Sequence, residues 1–389
     1  MERGASLFPE GWKRHRVFRG LTERQERLFN WIAGAVIVLF IAGWTGSIVE
    51  TRRQDEAEDR AATAAEHVKP VAPVASPSPS QQIANAIVAP SAPKAAYITD
   101  AMMAFLTPLR GASGQVKFTT QVPNAPIVKQ APSGATAVLS QGSTEVSSSF
   151  TAPSNPGIYD LAVKLNQTTQ AVKDFSVITL VPFSKKQAGK IGLYYLGSWP
   201  FERGGKPKTP AYANPSGFIQ VTKENADTYV SAHFKLRDFV TKDQPNLWPK
   251  YLLLNPKLLD KLELTIRELE ASGHPVKHMQ VMSGFRTPNY NYTGGNIAGR
   301  ANLSRHMYGD AADVFVDNDG NGMEDDLNHD GRVNPLDAQV VADAADRVER
   351  KYPSLVGGIG VYSASSGHGP FTHIDVRGFR ARWRGTGNG

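Results

Sequence analysis

The chain has 389 residues, of which 41% are hydrophobic and 20% are charged, so two or three domains can each bury a core. It contains no cysteine, which excludes disulfides, thiolate metal sites and cysteine nucleophiles and leaves nine histidines and the carboxylates as metal ligands. The net charge is +7, but residues 1–27 alone contribute +3 of it. The rest of the chain is close to balance, so its charge does not favour a nucleic-acid partner.

A membrane anchor is predicted near the N-terminus. Residues 28–49 contain no charged side chain, and a helix of this length would span about 33 Å, enough for a bilayer core. Trp31 and Trp44 lie near its two ends, where indole rings favour the interface. The stretch is longer than a secretory signal core, so we expect an uncleaved transmembrane helix. Residues 1–27 would then lie in the cytoplasm of a bacterial cell, and everything after the inner membrane would be periplasmic.

Two segments separate this anchor from the C-terminal part of the chain. Residues 50–104 are rich in Ala, Pro and Ser, a composition typical of an extended tether for a domain that must reach the cell wall. Residues 105–188 contain short β-branched and aromatic runs separated by turn residues, which predict a β-sandwich domain. Within it, residues 156–159 resemble the corner of an immunoglobulin-like (Ig-like) fold. We expect a spacer or docking domain without catalytic residues.

The C-terminal segment, residues 189–385, has the pattern of an α+β domain. Asn255 and Pro256 are typical of the cap and first residue of a helix, and Gly273 is typical of the residue just past its end. Strands are predicted at 278–283, 312–316, 356–362 and 371–376, and a second helix at 336–352. Because helices and strands do not alternate regularly, we expect a mainly antiparallel sheet.

Two segments of this domain carry groups that can bind a metal ion. His306 precedes Asp313 by seven residues, across a turn that lets both side chains approach one ion. In the last predicted strand, alternation places His373, Asp375 and Arg377 on one face, which we expect to be the open face of the sheet. A set of two histidines and one aspartate suits zinc with a fourth position left for water.

The order of these motifs resembles that of the zinc D-alanyl-D-alanine carboxypeptidases and related LAS-type peptidoglycan metallopeptidases, which have a Hedgehog-type fold. The similarity covers roughly residues 220–385 and is carried by Ser231-x-His233-Phe234, Ser283-Gly284-Phe285-Arg286-Thr287-Pro288, Ser304-x-His306-x-x-Gly309-x-Ala311-x-Asp313, Gly358–Tyr362 and Phe371-x-His373-x-Asp375. The resemblance implies that His306, Asp313 and His373 bind zinc. It also implies that Arg286 holds a substrate carboxylate or the oxyanion, with Ser304 assisting at the same wall of the cleft.

The general base is where the chain departs from the family pattern. Many members carry Glu, Asp or His two or three residues before the last zinc ligand, where this chain has Phe371 and Pro370. Asp375 is the first candidate to take a proton from the zinc-bound water, and His368 is the second. Asp375 can instead be a residue that orients a zinc ligand, and the sequence leaves these two roles open.

An acidic insertion at residues 317–337 indicates a second metal site. Four of its residues occupy positions 1, 3, 5 and 12 of an EF-hand-like loop, and a fifth at position 7 would offer its carbonyl oxygen: Asp326, Asn328, Asp330, Asp337 and Arg332. An overlapping second cage is predicted from Asp317, Asp319 and Asn321. The pattern resembles dockerin or thrombospondin-type calcium repeats, so a structural calcium ion is the expected occupant. A solvated acidic loop is the alternative.

Together these features predict a membrane-anchored zinc peptidase that hydrolyses peptide bonds in peptidoglycan stem peptides or cross-links. The alternative is a non-catalytic metal-binding protein that binds the cell wall, motivated by the missing acid before His373. Peptidoglycan is the expected partner under both hypotheses. Carboxypeptidase and endopeptidase activity both remain open.

Overall fold

The structure, a computed structural model, describes residues 104–385 with the exception of 208, 295, 296, 298, 299 and 366. These residues belong to one compact unit, 77–389. The predicted cytoplasmic segment 1–27, the predicted transmembrane helix 28–49 and all but the last residue of the predicted tether 50–104 lie outside the described residues. Among the helices that are described, none has the length and apolarity needed to cross a membrane.

The described part of the chain contains fifteen strands, three α-helices and several short 3-10 helices. The strands are β1 Phe118–Gln121, β2 Ala135–Gln141, β3 Thr144–Ser147, β4 Gly157–Leu165, β5 Thr168–Thr179, β6 Val181–Pro182, β7 Lys190–Ile191, β8 Tyr194–Tyr195, β9 Gly217–Val221, β10 Lys250–Leu252, β11 Met279–Ser283, β12 Ala311–Val316, β13 Gly358–Tyr362, β14 Phe371–Asp375 and β15 Ala381–Gly385. The α-helices are α1 Pro256–Ala271, α2 Pro288–Thr293 and α3 Pro335–Lys351. The 3-10 helices are Ala104–Arg110, Phe183–Lys185, Pro210–Tyr212, Leu236–Phe239, Arg305–Tyr308 and Pro353–Leu355.

The first sheet has five strands in the order β1-β5-β4-β2-β3, antiparallel except for the β1–β5 pair. Opposite this full sheet there is only a short ladder, in which Ile127 N donates to Phe150 O and Asn124 N donates to Ala152 O. The Tyr159 hydroxyl donates to Asn155 O at 2.8 Å, four residues upstream. Such a bond from a strand tyrosine back to the preceding turn is a feature of the corner in Ig-like domains.

The strands that follow connect this sheet to the rest of the chain. The order of the next sheet is β10-β9-β6, and β7 and β8 form a two-stranded hairpin. Residues of the first sheet, including Phe118 and Ile178, pack in the same hydrophobic core as helix α1 and the strands after it. Residues 181–182 already pair with β9, so strand pairing with the C-terminal part begins before the predicted boundary at 188.

The third sheet carries the residues predicted to bind metal. Its order is β11-β12-β14-β13-β15, and every neighbouring pair is antiparallel except β13 and β15. Each strand predicted in this region is present, with bounds within two residues of the expected ones. The α+β class with mainly antiparallel sheets is therefore confirmed.

Helix α1 begins and ends where its sequence predicts. The Asn255 side chain accepts from Lys257 N at 3.0 Å, Pro256 is the first helical residue, and Gly273 follows the end with φ of 87°. Four apolar residues at helical spacing form a stripe that is fully buried: Leu259, Leu262, Ile266 and Leu269. The stripe packs the helix against the third sheet and helix α3.

His233 fastens the loop before β10 to helix α1. Its backbone N donates to Glu263 Oε1 at 3.0 Å, and its Nδ1 lies 2.7 Å from Glu263 Oε2. The Glu263 side chain is buried, and its hydrogen bond to the ring raises the pKa of His233. This histidine therefore anchors packing, and it is not part of the group of side chains that could hold a metal ion.

We expect the His233–Glu263 contact to make stability depend on pH. A histidine whose pKa is raised by folding stabilises fully below its ordinary pKa of about 6.5, and this contribution is lost as pH rises through the folded value. The free energy of unfolding should therefore fall between about pH 6 and pH 8 as this contribution is lost. The decrease should be smaller in His233→Gln than in the wild type. Urea unfolding at both pH values measures this, with His278→Gln as control. Equal pH dependence of wild type and His233→Gln would contradict the expectation.

Candidate metal centre

Three predicted ligands are brought together by the pairing of two strands and one turn. Asp313 on β12 and His373 on β14 are direct partners in the antiparallel register, so their side chains emerge side by side. His306 lies in the 3-10 helix Arg305–Tyr308, which ends at Gly309 with φ of 67°. A residue with a side chain would be strained there, and the turn lets the chain enter β12 directly. The turn thus brings His306 next to the two strand residues.

The ligand atoms of these residues converge on one point. His306 Nε2 lies 3.2 Å from His373 Nδ1 and 3.2 Å from Asp313 Oδ1, and His373 Nδ1 lies 2.8 Å from Asp313 Oδ1. Ligands about 2.0–2.2 Å from a tetrahedral zinc ion stand about 3.3–3.6 Å apart, slightly farther than these separations. All three side chains are buried, with residue exposures of 3–6%. The set is therefore the size of a coordination sphere.

The hydrogen bonds on the far side of each ring fix where its proton lies. His306 Nδ1 is 2.7 Å from the Gly284 carbonyl, and His373 Nε2 is 3.1 Å from Asp375 Oδ2. A carbonyl and an ionised carboxylate can only accept, so each neutral ring donates there. When both rings are neutral, His306 Nε2 and His373 Nδ1 carry lone pairs that face Asp313. These three acceptors would repel one another unless a proton on His373 Nδ1 or a bound cation lies between them.

Electrostatics favour neutral His306 and ionised Asp313. Burial, reinforced by the nearby Arg286, lowers the pKa of His306 to about 4, so its contact with Asp313 is not an ion pair at neutral pH. Burial alone would raise the pKa of Asp313, but His306 and Arg286 hold it well below its usual range. Burial alone would lower the pKa of His373, yet hydrogen bonds to Asp313 and Asp375 raise it overall. His306 and Asp313 are therefore in the forms that metal ligands need, whereas His373 would have to release a proton when a cation binds.

Asp375 lies behind His373 rather than beside the point of convergence. Its Oδ2 faces His373 Nε2, and its Oδ1 accepts from Gly358 N at 2.8 Å and from Arg377 N at 3.0 Å. The Arg377 guanidinium also binds this carboxylate. Burial would raise the pKa of Asp375, but the bonds to His373 and Arg377 hold it well below its usual range.

The shared face of His373, Asp375 and Arg377 is confirmed, but the expectation that this face is open is wrong. Residues His373 and Asp375 are both buried. Trp383 on the neighbouring edge strand β15 covers them, with its ring 5.1 Å from the His373 ring. The parallel pairing of β15 with β13 provides this cover, and strand alternation alone cannot reveal it.

A cleft of about 650 Å³ lies next to the centre. Arg286 joins the two, since its Nη2 is 2.6 Å from Asp313 Oδ2, its Nε donates to Ser283 Oγ at 2.8 Å, and it lines the cleft. His368 also lines the cleft, with Nδ1 donating to Gly369 O at 2.7 Å. Ser304 is buried at the start of the 3-10 helix that carries His306, and it is not among the residues lining this cleft.

The acidic insertion contains two successive loops with the same hydrogen-bonding pattern, nine residues apart. Asp317 accepts from Gly320 N, Asn321 N and Gly322 N, and Asp326 likewise accepts from Asp330 N and Gly331 N. Within the described residues, the carboxylates of Asp317, Asp319 and Asp325 approach one another closely enough to hold one ion. The second loop, as the structure describes it, contains no such group of three carboxylates. Its side chains accept hydrogen bonds from the loop backbone instead: Asn328 accepts from Asp330 N, and Asp330 accepts from Arg332 N. Asp337 instead accepts from Asn328 N and Asn334 N and caps helix α3.

Three further residues were missed by reasoning from the sequence. Asp325 could have been found from the nine-residue repeat, because it occupies the position in the first loop that Asn334 occupies in the second. Lys242 and Arg300 line the cleft beside Arg286, and isolated basic residues in loops gave no sequence signal for this position.

Comparisons with protein-family models, with curated proteins and with solved structures give no match. The chemistry of the centre is therefore inferred from its own donor atoms. Two imidazole nitrogens and one carboxylate oxygen, buried where they meet, fit a borderline cation such as zinc better than calcium or magnesium, which prefer oxygen ligands.

Proposed function

We propose that this chain is a membrane-anchored zinc peptidase that cleaves peptide bonds in peptidoglycan stem peptides or cross-links. The observation that carries the proposal is the meeting of the buried His306, Asp313 and His373 ligand atoms beside a cleft. The motifs shared with LAS-type peptidases support the same reaction and a related fold for the C-terminal domain. The Tyr159 bond supports an Ig-like spacer. A helix at 28–49 would hold the domains in the periplasm at the inner membrane.

Each residue of the centre has a definite task in this proposal. His306, Asp313 and His373 would hold the zinc ion, which would supply polarisation of a carbonyl group and a lowered pKa of bound water. Asp375 keeps the His373 proton on Nε2, so that Nδ1 faces the ion. Arg286 remains at the edge of the cleft, where its guanidinium is available to negative charge that develops on the substrate.

The geometry favours His368 over Asp375 as the proton acceptor. The Asp375 oxygens are engaged by His373, Arg377 and Gly358 N, and its pKa is held well below its usual range, so it is a weak base. His368 donates from Nδ1, which makes Nε2 its basic nitrogen, and it lies in the wall of the cleft. We therefore assign Asp375 to orienting His373.

Digestion of purified sacculi tests the proposal. The full chain in detergent micelles should release soluble peptides, release should stop when a chelator removes the metal, and added zinc should restore it. Mass spectrometry of the products identifies the bond that is cut. Stoichiometric zinc without any release over a long incubation would overturn the peptidase proposal and favour the wall-binding alternative.

Replacing Asp375 with asparagine should weaken zinc binding by about 10–100-fold, the usual effect of losing the partner that orients a ligand histidine. The matched control is Asp310→Asn, because Asp310 is also buried and paired with an arginine, Arg305, but contacts neither ligand histidine. Both variants should lose similar stability. Competition with a chromophoric chelator measures zinc affinity, and equal affinities of the two variants would contradict the assigned role.

Calcium is proposed as a structural ion of the insertion. A ligand that binds only the folded state stabilises it by about 2.7 kcal/mol at 100 times its Kd, so the thermal midpoint should rise with calcium concentration. Asp319→Asn should remove most of this rise, and Asp343→Asn, an exposed change on helix α3, should leave it intact. Thermal unfolding in chelator and in graded calcium measures both. Asp330→Asn separates the loops, and a midpoint insensitive to calcium would contradict the assignment.

A further inference from the structure

Positive charge collects at one end of the cleft beside the centre. Lys242, Arg286 and Arg300 all line this cleft. Burial lowers the pKa of both Lys242 and Arg300, and the charge of Arg286 lowers both further, whereas the charge of Asp313 raises both. The three cations and this carboxylate therefore lie within electrostatic range of one another. Three cations thus stand near one carboxylate.

The acids that line the cleft form no ion pair with Lys242 or Arg300 within the described residues. Asp238 accepts from Lys235 N at 2.7 Å, and Asp317 is occupied by backbone amides of the insertion. Glu324 accepts from Val316 N at 2.9 Å, and burial raises its pKa well above its usual range, which favours the neutral form. Asp313 is committed to the centre through Oδ1 and to Arg286 through Oδ2. The charges of Lys242 and Arg300 remain unmatched by these groups.

The two remaining cations differ in how they are held. Arg300 Nη1 donates to Tyr290 O at 2.8 Å and to Gly294 O at 2.7 Å, and its guanidinium lies 4.9 Å from the Tyr290 ring centroid. Lys242 is exposed and makes no hydrogen bond or ion pair with any residue that the structure describes. Arg300 is thus a fixed charge, and Lys242 is a long side chain that can close over a ligand.

We propose that Lys242 and Arg300 form a subsite for a carboxylate of the substrate, close to the bond that is cut. The inference rests on the proposed peptidase function and assigns its specificity. Carboxylates are the anions of a stem peptide, and Lys242 and Arg300 line the same cleft as Arg286, which binds Asp313 of the centre. Arg286 then stays with Asp313 and the reacting carbonyl, and the substrate is selected by its charge.

Binding of matched peptides to the full chain, with chelator present to prevent cleavage, tests this subsite. The probe is a fluorescent stem pentapeptide ending in D-Ala-D-Ala, compared with its C-terminal amide and with a form amidated at the D-glutamate carboxyl. Wild type should bind the acid more tightly than one of the amides by about 10–100-fold, as for a hydrogen-bonded charge pair. The amide that loses affinity identifies the carboxylate, and the C-terminal one indicates a carboxypeptidase.

Lys242→Met and Arg300→Gln should each remove most of this preference, while binding of the sensitive amide stays unchanged. The control is Arg237→Gln, because Arg237 lines the same cleft but is paired with Asp227. A preference that survives both substitutions, or no preference in wild type, would overturn the subsite. If sacculi are not digested but the preference depends on Lys242 and Arg300, only the peptidase proposal fails. If digestion occurs without that dependence, only the subsite fails.

Discussion

Replacing His306 with alanine is expected to abolish stoichiometric zinc binding and reduce peptide release to background. The substitution removes one of the three converging ligands. Loss of a residue that only orients a ligand weakens zinc binding by about 10–100-fold, and loss of the ligand itself should weaken it more. His373→Ala should have the same effect, since its Nδ1 lies 3.2 Å from His306 Nε2. Metal analysis after dialysis against limiting zinc measures binding, and release from sacculi measures activity.

His233→Ala is the matched control for these two variants. His233 also contacts a carboxylate, Glu263, but lies outside the converging group. It should retain one equivalent of zinc and normal release. Thermal unfolding in chelator shows whether His306→Ala folds, since the lost bond to the Gly284 carbonyl lowers its stability by about 1–3 kcal/mol. A folded His306→Ala protein that keeps one equivalent of zinc would contradict the proposed centre.

The part of this centre that sequence could predict is the part set by local geometry. Strand residues two apart share a face, and in the structure His373 contacts Asp375, which in turn contacts Arg377. The helix caps at Asn255 and Gly273 are equally local, because a cap depends on the few residues around it. These features need no knowledge of how distant segments pair.

The meeting of His306 with His373 could not be derived from spacing, because it depends on strand pairing. The two residues are 67 positions apart, and the register that sets Asp313 against His373 forms only when β12 pairs with β14. The motif resemblance gave this set without any geometry. The role of Asp375 was left open for the same reason, since it depends on which ring nitrogen faces the carboxylate.

Burial is the second property that the local pattern does not contain. Strand alternation identifies a polar face, but whether solvent reaches that face depends on Trp383, which lies on the edge strand β15. In the insertion, a motif of carboxylates favoured the loop beginning at Asp326, whereas the converging carboxylates are Asp317, Asp319 and Asp325. Motif spacing indicates candidate oxygens, and the backbone path decides which of them meet.

A buried ion pair under the sheet gives the second large expected effect. Lys261 on helix α1 is fully buried, and its Nζ donates to Glu349 Oε1 at 2.6 Å and to the Asp375 carbonyl at 2.8 Å. Glu349 Oε1 also accepts from Gly357 N at 2.9 Å, and its Oε2 binds Arg382. The two charges thus tie α1, α3 and the end of β14 together behind the metal centre.

Lys261→Met should lower the free energy of unfolding by about 3–5 kcal/mol, because it leaves a carboxylate buried without one of its partners. The control is Lys351→Met, because the Lys351 side chain is 57% exposed where it pairs with Glu268, and such a solvated pair should contribute no more than about 1 kcal/mol. Urea unfolding of the metal-free proteins measures the difference. Similar losses in the two variants would contradict the expectation.

Replacing both members of the pair distinguishes the cost of a buried carboxylate that has lost one partner from the cost of lost packing. Lys261→Met with Glu349→Leu removes both charges, so the double variant should be more stable than Lys261→Met alone despite losing the bond to Gly357 N. Zinc affinity gives a separate measure, because Lys261 holds the carbonyl of Asp375, the residue that orients His373. If the end of β14 depends on this bond, Lys261→Met should weaken zinc binding and Lys351→Met should not. Unchanged affinity in a folded Lys261→Met protein would show that the ion pair supports the fold without positioning the centre.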